Sequence, residues 1–461
     1  MIELSLARIA AATGGRVVGD PERTVDAVAT DSRTLPAGAT LFVALRGEHA
    51  DGHRFVDAAA HGGAAAALVE RPVDGIDAVV VDDTWRAIRD LGVAVRRQVA
   101  PTAVAITGSV GKTTVKDLTA AAVGAGRRVA AARGSFNNEL GVPLTLLTLR
   151  EHDEVLVAEI GARHVGDIAD LAPLVAPDVS VVTAVAGVHL EIFGSIEAIE
   201  RAKGELVEAL GPDGLAILNA ADPRVRAMAA RAPAALTVGA PGADLTAEDV
   251  TLDASAYPRF TARTPWGSAE VRLATPGRHQ VGNALLALAV AGHLGVDLTA
   301  AAAALGGATI SPWRGEVTRR GGLTVLNDAY NANPTSVIAA LDTLTALAAG
   351  TRTVAVLGEM AEIGPTSSVE HARVGAEVAG RGIDRLVVVG VHAAPLADGA
   401  VDAGMAPESV VTVPDARAAA EHLLSDLAAG DVVLVKASRV AGLEQVADRL
   451  LADDAVEVDQ P

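Results

Sequence analysis

The stretch Val104-Ala105-Ile106-Thr107-Gly108-Ser109-Val110-Gly111-Lys112-Thr113-Thr114 constrains the fold more than any other part of the chain. Its apolar, β-branched start reads as a buried strand, and a glycine-rich turn follows. Lys112-Thr113-Thr114 then opens a helical pattern that runs to about Gly124. Turned amides, a helix N-terminus and an ammonium group converge on one point, which suits a polyphosphate. Gly108, Ser109, Val110, Gly111, Lys112, Thr113 and Thr114 are therefore candidate nucleotide-phosphate residues, with ATP the expected ligand. A threonine hydroxyl at the place of Thr113 commonly binds Mg²⁺. The strict phosphate loop carries a glycine five residues before Gly111, where this chain has Ile106. The shorter Gly-x-x-Gly-Lys-Thr form is less specific, so its setting between a strand and a helix matters.

A length of 461 residues predicts about three domains. Half the chain is hydrophobic and only 2% is aromatic, which fits helices packed on parallel sheets. So few aromatics, with a formal net charge of −19, argue against a nucleic-acid partner. No cysteine is present, which removes disulfides, thiolate metal sites and a cysteine nucleophile. No run approaches membrane-spanning length, and Met1-Ile2-Glu3-Leu4 does not open a leader. A cytoplasmic protein is expected, working as a monomer.

The predicted fold class is α/β in three domains. Residues 1–100 form a small mixed α/β domain, with strands at Thr40–Leu45 and Ala78–Val81 and helices at Phe55–His61 and Trp85–Gln98. Residues 101–312 form a central P-loop-type parallel sheet, with strands at Thr102–Thr107, Val155–Glu159, Ser180–Val185 and Leu215–Leu218. After the linker Ile310–Gly315 the alternation restarts, and residues 313–461 form a Rossmann-like, doubly wound domain. Its expected strands are Leu323–Leu326, Thr353–Leu357, Leu386–Val389 and Val432–Val435. An acidic tail after Ala452 is expected to fray.

Ligands of open α/β sheets collect at the carboxyl ends of strands, which places Glu159 within reach of a nucleotide-bound Mg²⁺. A solvated strand-end glutamate is the plainer alternative. His189 falls on the same rim, although a lone histidine is more often structural, and hard Mg²⁺ prefers oxygen. Lys203 reads as one member of a solvated helical face, and composition assigns it no role. His279 and Asn283 lie one turn apart on an apolar helix, either as a helix-start cap or as an adenine contact. Asp328, Tyr330, Asn331 and Asn333 cluster between a strand and a helix, where turn chemistry competes with a binding site.

Taken together these segments resemble the Mur ligases, the ATP-dependent amide-forming enzymes of peptidoglycan precursor synthesis. The likeness covers nearly the whole chain. It includes Thr30-Asp31-Ser32-Arg33, Leu41–Gly47, Gly134–Thr145, Ala202-Lys203-Gly204-Glu205, Tyr330–Pro334, Leu357-Gly358-Glu359-Met360 and Val435-Lys436-Ala437-Ser438-Arg439. The Asp-Asn-Pro-Arg signature of diaminopimelate-adding relatives is absent. The resemblance implies that a UDP-N-acetylmuramoyl-tripeptide is joined to D-alanyl-D-alanine, the first domain holding the UDP-sugar. It implies that Lys112 and Thr113 serve ATP and Mg²⁺, and that Glu159 and His189 serve metal sites. It further implies a carbamate on Lys203 that serves as a Mg²⁺ ligand, an adenine contact at Asn283, and closure of Arg314 and Asp328 over ATP. Ser32, Arg33, Asn137 and Asn138 match segments that hold the UDP-sugar. Departures from the family pattern fall at Arg163, Ala184, Gln280, Asn327 and Ala437. Two other readings stand beside this one: a different Mur-type or folylpolyglutamate-type amide ligase, and a non-catalytic P-loop regulator.

Overall fold

The computed structural model describes residues 1–48 and 50–452. The acidic tail lies outside the described residues. Among those described, no helix is long and apolar enough to cross a membrane.

Three sheet units follow one another along the chain. In the first, strands Arg16–Val18, Ala78–Val80, Ala66–Val69, Thr40–Val43 and Ala27–Ala29 lie side by side in that order. The helix Thr84–Val99 covers this sheet, begun by Asp83, whose carboxylate accepts the Trp85 and Arg86 amides. Its apolar stripe Ala87, Ile88, Leu91 and Val95 belongs to the same core as Ala103, Ala105 and Leu156 of the next unit. The first unit therefore packs on one face of the central sheet through shared apolar burial.

The central sheet is parallel throughout, in the spatial order Ala234–Val238, Leu215–Asn219, Val179–Val182, Thr102–Thr107, Val155–Glu159, Val129–Ala131. Its middle strands are buried along their length apart from Thr102 at one end, as parallel strands covered on both faces are. The chain leaves Thr102–Thr107 toward one edge and later returns to fill the other. The crevice beyond Thr107 is thus the topological switch point, where ligands of open α/β sheets bind. The strand expected over Ser180–Val185 runs from Val179 to Val182, and just past its end the Thr183 hydroxyl donates to the Val110 carbonyl (2.5 Å).

A three-stranded antiparallel sheet, Thr246–Leu252, Pro258–Thr264 and Gly267–Arg272, corrects the expectation of plain alternation here. Its signal was a period of two: Phe260, Ala262, Ala269 and Val271 are buried while Arg259, Arg263 and Glu270 face out. That buried face closes the core beneath the helix Gln280–His293, which packs on the phosphate-loop helix Lys112–Gly124.

The third sheet runs Glu316–Arg320, Leu323–Asn327, Val432–Lys436, Thr353–Gly358, Arg385–Val389, Val410–Val413. Only the first pair is antiparallel. Separate apolar clusters cover its two faces, as in a doubly wound sheet.

Candidate active site

Gly108 turns the chain out of its strand with φ +146°, and a β-carbon there would stand 2.0 Å from the Thr183 hydroxyl. Ser109 ties the loop to the neighbouring strand end: its amide donates to the Ala184 carbonyl (2.8 Å), and its hydroxyl donates to the Ala186 carbonyl (3.0 Å). The Lys112 ammonium folds back over the loop and donates to the Gly108 carbonyl at 2.7 Å. Burial lowers its pKa, and the Glu159 carboxylate works against that shift.

Glu159, at the end of the adjacent strand, is buried and accepts two hydrogen bonds. The Thr113 hydroxyl donates to one oxygen and the Asn137 amide to the other, each at 2.7 Å. The solvated reading of this carboxylate is therefore set aside. A hydroxyl and a carboxylate held together at the mouth of a phosphate loop are hard oxygen donors. With phosphate oxygens and water completing the shell, they fit Mg²⁺. Among the described residues no group of three or more His, Asp or Glu side chains forms a cage without the nucleotide.

His189 caps a short helix in a left-handed conformation (φ 53°), half-buried, with Nδ1 hydrogen-bonded to the carboxylate of Glu362. Burial lowers its pKa, Glu362 opposes the shift, and the cations Lys112 and Lys203 reinforce it.

Lys203 corrects the solvated-face reading. Only 2% of it is exposed, on the helix Ile196–Glu208, with its ammonium 5.7 Å from the centre of the Phe193 ring. Burial first, and the charge of Lys112 second, pull its pKa down to about 7, against the pull of Asp167 and Glu205. Period and charge placed it on a wet face. The neighbouring helix Asp167–Val175 covers that face, its N-terminal amides held by Glu205.

At the end of the linker, Arg314 donates to the Ser135 hydroxyl (2.7 Å) and stacks 3.9 Å above the Tyr330 ring. Asp328 is paired with buried Lys436 at 2.6 Å, and Lys436 also donates to the Asn331 carbonyl. Asn333 caps the helix Pro334–Ala348 in a reciprocal box with Ser336, so turn chemistry and cleft lining coincide there. Asn283 accepts no cap role. Its amide donates to Gln280 (2.7 Å), and its carbonyl oxygen would meet a β-carbon on Gly111 at 3.1 Å. His279 stands at the N-cap position of the helix Gln280–His293 without a side-chain cap bond, and its ring lines the cleft.

These residues line one cleft of about 460 Å³: Lys112, Thr113, Glu159, His189 and Asn283 from the central unit, Arg314, Asp328 and Tyr330 from the third. Lys203 is not among the lining residues, but its charge acts on His189 and that of Lys112 acts on it. Ser32 and Arg33 do not line it, and Arg33 is exposed and paired with Asp31 (2.7 Å). Asn138 accepts the Gly141 amide (2.9 Å), a loop-shaping role.

Family comparisons agree along the whole chain. The Mur ligase middle domain matches residues 106–291, the Mur ligase glutamate ligase domain 313–439, and the Mur ligase family catalytic domain 24–102. The UDP-N-acetylmuramoyl-tripeptide–D-alanyl-D-alanine ligase of Mycobacterium tuberculosis is 42% identical, across 98% of this chain and 99% of that one. The chain belongs to the Mur ligase family. Among solved Mur ligases, MurF from Acinetobacter baumannii superposes with a TM-score of 0.87 at 32% identity, over 97% of this chain and 99% of that one. MurF from Thermotoga maritima in complex with ADP gives 0.79 at 27%, over 92% and 96%.

Ser135, Thr183 and Lys436 line this Mur ligase cleft without a role assigned from sequence, and Glu362 holds His189 from outside the lining. Ser135 and Lys436 lay inside segments already noted for their family likeness. Thr183 was absorbed into a strand. Glu362 stood two residues past the Leu357–Met360 segment, and nothing local marked it.

Proposed function

We propose that the chain is an ATP-dependent ligase. It joins the terminal carboxylate of UDP-N-acetylmuramoyl-tripeptide to the amine of D-alanyl-D-alanine and gives the UDP-muramoyl-pentapeptide of peptidoglycan synthesis. The observation that carries this reading is the meeting of Lys112, the Thr113–Glu159 pair and Arg314 in one cleft, in a chain 42% identical to a relative of that name. On this reading, residues 1–100 hold the UDP-sugar, 101–312 hold ATP and 313–461 form the ligase domain. The reaction would run in the cytoplasm.

A carboxylate is a poor acyl donor. Its oxygen attacks the γ-phosphorus, the bond to the bridging oxygen breaks, and ADP leaves with that electron pair. The amine then attacks the carbonyl carbon of the acyl phosphate. The carbon–oxygen bond to phosphate breaks, a proton leaves the nitrogen, and amide and phosphate result. No side-chain nucleophile is needed, so positioning and charge neutralisation carry the catalysis. Lys112 and the loop amides hold the γ-phosphate, and Arg314 approaches from the opposite wall. Thr113, Glu159 and His189 would hold Mg²⁺, which neutralises the phosphate charge facing the incoming carboxylate. Asn283 and His279 face the adenine, and Asp328 closes the nucleotide side. Ser32, Arg33, Asn137 and Asn138 hold the UDP-sugar; Tyr330, Asn331 and Asn333 border the peptide substrates. Lys203, with a pKa near 7, presents a neutral amine. That nitrogen adds to CO₂ and loses a proton, and a buried cation becomes an anionic carbamate.

The deciding experiment supplies ATP, UDP-muramoyl-tripeptide and D-alanyl-D-alanine to the purified protein and weighs the product. A mass gain of one dipeptide residue is expected. Incorporation of a different amino acid instead would reassign the chain to another Mur-type specificity, and nucleotide binding with no UDP-peptide-dependent phosphate release would overturn the ligase reading. In the same reading Gly108→Ala weakens ADP binding roughly ten- to a hundredfold, because the loop has no room for the methyl group. Calorimetric titration reads this, and unchanged affinity would show that the loop accepts a β-carbon.

A further inference from the structure

The carboxylate of Glu362 reaches across the cleft from the third sheet unit and contacts two groups of the central unit. One oxygen accepts from Arg163 Nη2 at 2.8 Å, and the other is hydrogen-bonded to His189 Nδ1. The backbone repeats the contact, since the Glu191 amide donates to the Glu362 carbonyl at 3.3 Å. Glu362 and His189 both adopt left-handed backbone conformations, φ 62° and 53°, which non-glycine residues enter rarely. The Glu362 loop is anchored from behind. Buried His371 accepts the Met360 amide through Nε2 (2.9 Å), and the Ser438 hydroxyl accepts the Ala361 amide (2.9 Å). The carboxylate is thus presented on a firm base.

An ionised carboxylate can only accept, so the nitrogen facing it carries the hydrogen. His189 bonded in this way is protonated on Nδ1, and Nε2 keeps the lone pair on a ring that lines the cleft. Histidines that ligate metals show this arrangement, with a carboxylate holding the second nitrogen. Here the carboxylate comes from the other side of the linker.

We infer that Glu362 is a positioning residue: it fixes the tautomer of His189, and does so only while the third sheet unit is docked on the central one. Completion of the histidine side of the site is thereby tied to closure of the cleft. The tautomer claim stands on the contact itself; its consequence for metal rests on the reading of His189 given under Proposed function.

The test has two arms. Nitrogen NMR of the full chain with labelled histidine, free of nucleotide and metal, reads the His189 tautomer, with Glu362→Ala and Glu362→Gln beside the wild type. The Nδ1–H form is expected in the wild type. Glu362→Gln keeps it through its amide carbonyl, while Glu362→Ala loses it. An Nε2–H form in the wild type, or wild-type shifts in a folded Glu362→Ala, would overturn the proposal; if Glu362→Ala does not fold, the wild-type spectrum alone still decides. The second arm titrates ADP with and without Mg²⁺. Glu362→Ala should lower the Mg²⁺-dependent gain in affinity ten- to a hundredfold and leave binding of ADP alone unchanged, whereas a general structural defect moves both. If Mg²⁺ gives the wild type no gain while the Nδ1–H form is observed, the metal reading of His189 fails and the positioning role of Glu362 stands.

Discussion

Lys112→Ala is expected to lower UDP-peptide-dependent phosphate release by about 10²–10³-fold, the usual effect of deleting one preorganised donor from a site of developing charge. The ammonium is held 2.7 Å from the Gly108 carbonyl, over the mouth of the turn, with Arg314 close enough to depress its pKa further. The loop geometry does not depend on this side chain. Thr183, Ser109 and Gly108 set it through their own contacts. Thermal unfolding should therefore change little while turnover collapses. Stopped-flow phosphate release together with a melting curve checks both halves. Activity within tenfold of the wild type would remove Lys112 from the chemistry.

The second large effect concerns Lys203. Lys203→Ala should abolish turnover, and Lys203→Glu should restore part of it by supplying a fixed negative charge on a shorter arm. Burial and Lys112 bring its pKa to about 7, so the neutral amine that reacts with CO₂ predominates above that pH. Wild-type activity should decline as pH falls below 7, and the Lys203→Glu activity should lack that acid limb. Stability has its own sign. The unfolded chain keeps this proton up to about 10.5, the folded chain releases it near 7, and the unfolded state therefore binds more protons in between. Stability relative to Lys203→Met should rise with pH across that window, by about 1 kcal/mol per pH unit. Near-normal activity in the alanine variant would exclude the carbamate.

Strands Thr102–Thr107 and Val155–Glu159 fall where apolar runs placed them, and the helix after Lys112 ends at Gly124 as its pattern required. Strand ends were less legible, as at Val182, where the strand ends three residues before the apolar run does. The antiparallel sheet over 246–272 carries a period of two, but its buried residues alternate with exposed Arg259, Arg263, Glu270 and Arg272, which leaves only a weak apolar signal.

Residue type and spacing alone determined the phosphate loop, the strand-end position of Glu159 and the restart of an α/β pattern after the linker, because each arises from contacts between near neighbours. Tertiary packing decided the rest. The burial of Lys203 depends on a helix that folds over it, and the partner of His189 lies 173 residues away in a turn of the third sheet unit. Charge and hydrogen-bond partners at such distances are chosen by which surfaces meet, and no local pattern encodes that.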